Sequence, residues 1–147
     1  MSRRAGTVHL TLFLALVPAA PAMAGPGREV IHELNAARAE EGRDALRRSA
    51  SLSRSARRYA RWMARRDYFG HRARISASMS FSLVGETLAW HRGWRRLSGW
   101  PVGAWLHSSS HRRTLLRGRY DWIGVGRVRA RYHGRLATFW VVHVGDR

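Results

Sequence analysis

The 147-residue chain is strongly basic, because 27 basic residues face 9 acidic ones and give a formal net charge of +18 at pH 7. Every basic residue is arginine, a bias typical of GC-rich coding sequence, so part of the excess is compositional. The absence of cysteine excludes a disulfide framework, a cysteine nucleophile and thiolate-bound zinc. Such a surface attracts polyanions unless it is simply a solvated basic face, and no nucleic-acid-binding motif is present.

Residues 1–24 carry the pattern of a cleavable signal peptide. Arg3 and Arg4 precede a mostly apolar run over 8–20, and Ala22-Met23-Ala24 supplies the small-x-small pattern that signal peptidases read. The apolar run is shorter than the roughly 20 residues that span a bilayer. We therefore expect a secreted, extracellular or envelope-associated mature domain over 25–147, with no transmembrane segment. An uncleaved anchor or a buried core helix is the alternative.

Apolar periodicity predicts two amphipathic helices at the start of this domain, over 27–41 and 51–66, with Ser51 as the N-cap of the second. In the connector over 43–48, only Leu46 is expected to be buried. Residues 72–85 lack periodicity and indicate a surface loop. Pro101 is typical of the first turn of a short helix. The serines over 108–110 predict a break before a last helical turn over 111–116.

The C-terminal part of the chain is predicted to be β-structure. Residues 127–130 alternate between arginine and apolar residues, as in a half-buried strand. Residues 136–144 are more continuously apolar and rich in β-branched and aromatic side chains, which favours a central strand. Helices followed by an antiparallel hairpin predict an α+β domain in which the helices pack on a sheet.

Several short fragments in a fixed order resemble the CAP superfamily, which comprises cysteine-rich secretory proteins, venom antigens and plant pathogenesis-related proteins, in its bacterial SCP-like form. The resemblance spans about Val30 to Val144 and implies an α-β-α sandwich with a central, mostly antiparallel sheet. The fragments are Asn35-Ala36-Ala37-Arg38, Tyr68-Phe69-Gly70-His71, Gly85-Glu86-Thr87-Leu88-Ala89, Trp105-Leu106-His107-Ser108, His111-Arg112 and Gly124-Val125-Gly126.

The resemblance also implies a cleft formed by His71, Glu86, Ser108 and His111. In several relatives the matching histidines hold a divalent metal, so His71 and His111 are the implied ligands of zinc or another divalent ion. Glu86 would orient a histidine. Two departures stand out: Thr87 replaces the asparagine of the family's G-E-N element, and Ser108 replaces the second glutamate of animal and plant relatives.

Each of these residues also has a simpler interpretation. Histidines near helix ends are often capping or solvated groups, and Glu86 could pair with an arginine. His107 and His111 form a rival metal pair if their helix is continuous, which the serines argue against. No partner is assigned to His91, His133 or His143. The tryptophans are predicted to line the core and the cleft, with Trp94 and Trp100, in a loop, as the exceptions.

Two functional hypotheses follow. The first is a non-enzymatic binding module at the envelope or outside the cell, which takes an anionic envelope polymer or a lipid-like small ligand. The second is a metal-assisted hydrolase, a protease or nuclease, with Glu86 as general base. Serines 108–110 lack a Gly-x-Ser-x-Gly elbow and an orienting acid, so no serine nucleophile is indicated. The oligomeric state is left open.

Overall fold

The computed structural model describes residues 25–75, 81–94 and 98–147. The predicted signal peptide and part of the predicted loop over 72–85 lie outside the described residues. Within them, no helix has the length and apolar character needed to cross a membrane. The helices and strands, in chain order, are α1 (Pro26–Glu40), β1 (Arg47–Arg48), α2 (Ala50–Arg65), β2 (Leu83–Arg92), α3 (Gly99–His107), α4 (Ser109–Leu115), β3 (Trp122–Tyr132) and β4 (Arg135–Asp146).

The four strands form one mixed sheet in the order β1-β3-β4-β2. Strand β4 is antiparallel to both of its neighbours, with β3 on one side and β2 on the other. Strand β1 contributes only two residues, which pair in parallel with the start of β3. The predicted central position of the last strand is therefore confirmed, as is a mostly antiparallel sheet.

Helices cover both faces of the sheet, which confirms the predicted α-β-α sandwich. Helix α2 packs on one face, and α1 and α3 pack on the other. Alternate residues of β4 serve the two sides: Phe139 and Val141 join the cluster under α2. Trp140 and Val142 join the cluster under α1 and α3. Because β4 has helices on both sides, its continuous run of apolar residues is the pattern expected of a doubly covered strand.

The helix boundaries correct two details of the sequence analysis. Ser49, not Ser51, is the N-cap of α2: the Ser49 side chain accepts a hydrogen bond from the backbone N–H of Leu52, 3.3 Å away. Helix α3 begins at Gly99, so Trp100 lies in its first turn and not in a loop, although its side chain is 43% exposed. The predicted break at the serines is confirmed, since Ser108 has an extended backbone between α3 and α4.

Helix α2 lies against β3 with almost no side chain between the two backbones. A Cβ atom added to Gly124 would lie 2.1 Å from the backbone nitrogen of Ser53. A Cβ atom added to Gly126 would lie 2.4 Å from the carbonyl carbon of Ala56. Glycine is therefore required at both positions for the helix to approach this closely. The Gly-Val-Gly fragment is the sequence signature of this contact.

We expect Gly126→Ala to destabilise the domain by about 3 kcal/mol, because the added methyl group must push the α2 backbone away from β3. The measurement is the free energy of unfolding from urea denaturation. Gly103→Ala is the matched control, since its Cβ meets nothing within 4 Å in the interior of α3. The control should be neutral or stabilising by up to about 1 kcal/mol, and an equal loss in both variants would contradict the packing argument.

A fully buried arginine ties α1 to two distant segments. The Arg38 guanidinium donates to the backbone carbonyl oxygens of Asp44 at 2.8 Å, Leu115 at 2.8 Å, Arg117 at 3.0 Å and Tyr120 at 3.3 Å. Four carbonyl oxygens converge on one planar group, so their desolvation is compensated by hydrogen bonds to a cation.

One turn before Arg38 on α1, Asn35 makes a two-way contact with the backbone of Leu46. Its amide donates to the Leu46 carbonyl oxygen at 3.1 Å, and its side-chain oxygen accepts from the Leu46 N–H at 2.8 Å. Leu46 is only 3% exposed, as predicted. The Asn-Ala-Ala-Arg fragment is thus explained: its two polar side chains hold the connector between α1 and α2.

Arg38→Met should lower the free energy of unfolding by at least about 3 kcal/mol, because several buried carbonyl oxygens lose their donors. Arg38→Lys should recover only part of this loss, since an ammonium group lacks the planar fork of five donors. The exposed Arg28, on the same helix, is the control, and Arg28→Met should change stability by less than about 0.5 kcal/mol. Full recovery by lysine would show that charge alone matters.

Candidate functional site

The chain after α2 carries His71 to the edge of the sheet. Asp67 adopts a left-handed conformation, φ 49°, which ends the helix and reverses the chain direction. The Tyr59 hydroxyl then donates a hydrogen bond to the carbonyl oxygen of Gly70. Burial, and next the negative charge of Glu86, raises the pKa of Tyr59 to about 12, so the phenol remains a donor at any physiological pH. This contact fixes the residue that immediately precedes His71.

Glu86 is the centre of the site, and both of its carboxylate oxygens bind histidine. Oε1 accepts from Nδ1 of His71, and Oε2 accepts from Nε2 of His143, each at 2.9 Å. Glu86 on β2 lies directly opposite His143 on β4 in the antiparallel ladder, so strand register produces the second contact. The Glu86 and His143 side chains are 4% and 2% exposed, whereas that of His71 is 56% exposed. The site therefore has a buried pair and one exposed imidazole.

His111 brings a third imidazole to the exposed side of this arrangement. It lies on α4, and its ring centroid is 6.3 Å from that of His71, with 47° between the ring planes. Burial, and next the neighbouring His71, lowers the pKa of His111 below its ordinary value of 6.5. The neutral imidazole, the form that binds metals, is thus favoured at neutral pH.

The other predicted residues do not join this cluster. The Ser108 hydroxyl hydrogen-bonds to that of Ser110 at 3.2 Å. His107 places Nδ1 2.8 Å from the carbonyl oxygen of Gly103, within its own helix. Because α3 ends at His107 and α4 begins after Ser108, the rival pair of His107 and His111 does not sit on one continuous helix. Thr87, which replaces the family's asparagine, is fully buried.

The donor set fits a metal only through His71 and His111. Glu86 holds Nδ1 of His71 and leaves Nε2 as the remaining donor atom, the arrangement usual for a metal-binding histidine. Two imidazoles on one tetrahedral zinc have ring centroids roughly 5 Å apart, so these rings would need to approach by about 1 Å. Among the described residues, no group of three or more histidine, aspartate or glutamate side chains could hold a metal ion. The pair therefore fits an open site with two protein ligands.

His143 is the residue that the sequence analysis missed, and the suggestion that Glu86 pairs with an arginine is wrong. The arginine was favoured by composition, whereas the actual partner comes from the pairing of β2 with β4, which are distant in sequence. One signal was present in the sequence: a histidine inside an apolar central strand is buried, and a buried polar group needs a partner. Its Nδ1 has no hydrogen-bond partner among the described residues.

Comparison with known proteins places this geometry in a family. The model of the cysteine-rich secretory protein family, CAP, matches residues 31–144. The chain therefore belongs to the CAP family, although it contains no cysteine itself. YkwD of Bacillus subtilis (strain 168) is 30% identical over 110 residues, 69% of this chain and 42% of the relative. The chain thus spans about two fifths of the length of that protein.

Solved structures show the same fold. An outer surface protein from Borrelia burgdorferi superposes with a TM-score of 0.65 at 23% identity, over 82% of this chain and 91% of that chain. An extracellular protein containing a SCP domain from Bacillus anthracis superposes with a TM-score of 0.66 at 19% identity, over 84% of this chain and 41% of that chain. At these identities the likeness establishes architecture, and the bacterial SCP-like form of the fold accounts for it.

His143→Leu should lower the free energy of unfolding by about 2 kcal/mol, because the buried Glu86 carboxylate loses one of its two donors. Glu86→Met combined with His143→Leu should be less destabilised than His143→Leu alone, since no unpaired buried carboxylate remains. Urea denaturation at pH 7 provides the measurement. His32→Leu, at an exposed position on α1, is the control and should be nearly neutral. A double variant less stable than His143→Leu would contradict the pairing argument.

Proposed function

We propose that this chain is a non-enzymatic extracellular binding module of the CAP family, with a cleft between His71 and His111 that holds zinc or another divalent metal. The observation that carries the proposal is the commitment of Glu86: both of its oxygens accept hydrogen bonds from histidine. The carboxylate thereby orients His71 for a ligand, and it has no oxygen left for an attacking water.

The two histidines have complementary tasks in the cleft. His71 would present Nε2, because its Nδ1–H donates to Glu86. His111 would present a neutral imidazole because burial lowers its pKa. With a metal bound, the cleft supplies an electrophilic centre with open positions for an oxygen ligand. Two protein ligands predict weaker retention of zinc than the three or four of catalytic and structural zinc sites.

A metal-assisted hydrolase is the less supported alternative. That mechanism needs Glu86 to take a proton from water, yet the side chain is 4% exposed and hydrogen-bonded on both oxygens. A general base must lie within hydrogen-bond reach of the proton it removes. A protease or nuclease would have to break the buried Glu86–His143 contact first.

Export agrees with this function. The signal-peptide pattern in residues 1–24 predicts it. Two structural relatives are described as an outer surface protein and an extracellular protein. The arginine excess favours an anionic envelope polymer as partner, and a lipid-like small ligand in the cleft is the second candidate.

The mature domain, 25–147, should bind zinc with a stoichiometry of one, and His71→Ala combined with His111→Ala should abolish this binding. Isothermal titration with zinc, checked by elemental analysis after dialysis, provides the measurement. His107→Ala combined with His32→Ala is the matched control, which also tests the rival pair, and it should bind like the wild type.

Two outcomes would contradict the proposal. Loss of zinc in the control but not in the first double variant would move the site to His107. Hydrolysis of a peptide or nucleic acid that disappears in Glu86→Gln, in a variant that still folds, would establish the hydrolase in place of the binding module.

A further inference from the structure

A second candidate site lies on the α2 side of the sheet, around a cavity of about 300 Å³. Helix α2 forms one wall, and the segment that follows it forms another. Glu86 and His143 reach the cavity from the sheet. The side chains that matter for the argument are Arg58, Arg61, Arg65, Arg72, Tyr59 and Trp62.

Four arginines surround this cavity, and their charge is not neutralised within it. The one acidic side chain in the lining is Glu86, whose oxygens are already bound by two histidines. Among the ion pairs formed by the described residues, none involves these four arginines. A concave site with this excess of guanidinium groups attracts an anion, and arginine matches phosphate oxygens in bidentate geometry.

Arg72 is held in position before any ligand arrives. Its guanidinium carbon lies 5.0 Å from the ring centroid of Tyr59 and 5.1 Å from that of Trp62. Tyr59 and Trp62 are themselves stacked at 5.7 Å. Cation–π contacts of this kind restrict the side chain, so less entropy is lost when it binds an anion.

The arginines continue along the exposed face of α2, beyond the cavity. Arg54, Arg57, Arg58, Arg61 and Arg65 are all exposed, and the helix contains no acidic residue. With a rise of about 1.5 Å per residue, the stripe is roughly 16 Å long. Like charges three and four positions apart repel each other and weaken the isolated helix. An extended anion along the stripe would relieve this repulsion at several arginines at once.

We propose that this surface, defined as the arginine face of α2 with the adjoining cavity, binds a linear polyol-phosphate polymer of the cell envelope. One phosphodiester group enters the cavity between Arg58, Arg61, Arg65 and Arg72, and neighbouring phosphates follow the helix toward Arg54. The proposal rests on the binding-module function and names its partner, yet it needs neither His71 nor His111 and no metal.

Two other polyanions fit this surface less well. A bilayer surface requires apolar side chains beside the charges, but exposed Trp100 and Leu136 belong to the opposite side of the sheet. Nucleic acid binding uses free aromatic faces for stacking, whereas Trp62 is contacted by Tyr59, Tyr68 and two guanidinium groups. A polymer of phosphate and polyol needs only the charges.

The test compares two variants of residues 25–147 that lose the same charge. Arg58→Gln/Arg61→Gln/Arg65→Gln removes cavity arginines, and Arg113→Gln/Arg129→Gln/Arg135→Gln removes exposed arginines on other elements. The probe is a poly(glycerol phosphate) oligomer, titrated by calorimetry at several salt concentrations. We expect the first variant to lose roughly tenfold or more in affinity and to show a shallower salt dependence, and the second to change by less than about threefold.

Further arms make the result decisive. An equal loss in both variants would overturn the proposal in favour of a diffuse basic surface. Tighter binding to vesicles of anionic phospholipid, to duplex DNA or to polyglutamate than to the oligomer would overturn the assigned partner. Unchanged oligomer binding by His71→Ala/His111→Ala in the presence of a chelator would support the surface even if the metal proposal fails. The cavity variant should have a melting temperature at least equal to the wild type, which excludes misfolding as the cause of lost binding.

Discussion

The buried guanidinium of Arg38 is the interaction on which the rest of the fold depends. It gathers carbonyl oxygens from the connector after α1 and from the segment between α4 and β3. These segments have no regular partner of their own, so their backbone groups would otherwise be buried without hydrogen bonds. Since α4 carries His111, the same arginine that stabilises α1 also determines where one side of the cleft lies.

A second constraint is the carboxylate of Glu86, which belongs to two neighbouring regions of the molecule. On the cleft side it orients the exposed His71, and on the α2 side it meets the buried His143 beside the arginine-lined cavity. A single anion thus connects the metal-capable cleft with a strongly cationic surface. Its negative charge is retained in a buried position because two N–H groups donate to it.

The sequence predicted local features well and distant pairings poorly. The periodicity of α1 and α2 and the serine break before α4 depend on neighbouring residues, so their pattern was visible. The family resemblance added the sandwich fold and brought His71, Glu86 and His111 into one region. The pairing of Glu86 with His143 depends on the register between β2 and β4, about fifty-seven positions apart in the chain, which no local pattern encodes. The four carbonyl partners of Arg38 were hidden for the same reason, since backbone acceptors leave no mark in a sequence.

The contact between α2 and β3 separates the two sides of that helix into different roles. On the inner side, Gly124 and Gly126 let the backbones touch, and no rotamer change can absorb an added atom there. On the outer side, the side chains project into solvent without supporting the core. The inner side is therefore closed to sequence variation, whereas the outer side can be rewritten. The domain thus offers a rigid rail whose exposed surface could be exchanged for another chemistry, which makes α2 a natural position for grafting new binding specificities onto this scaffold.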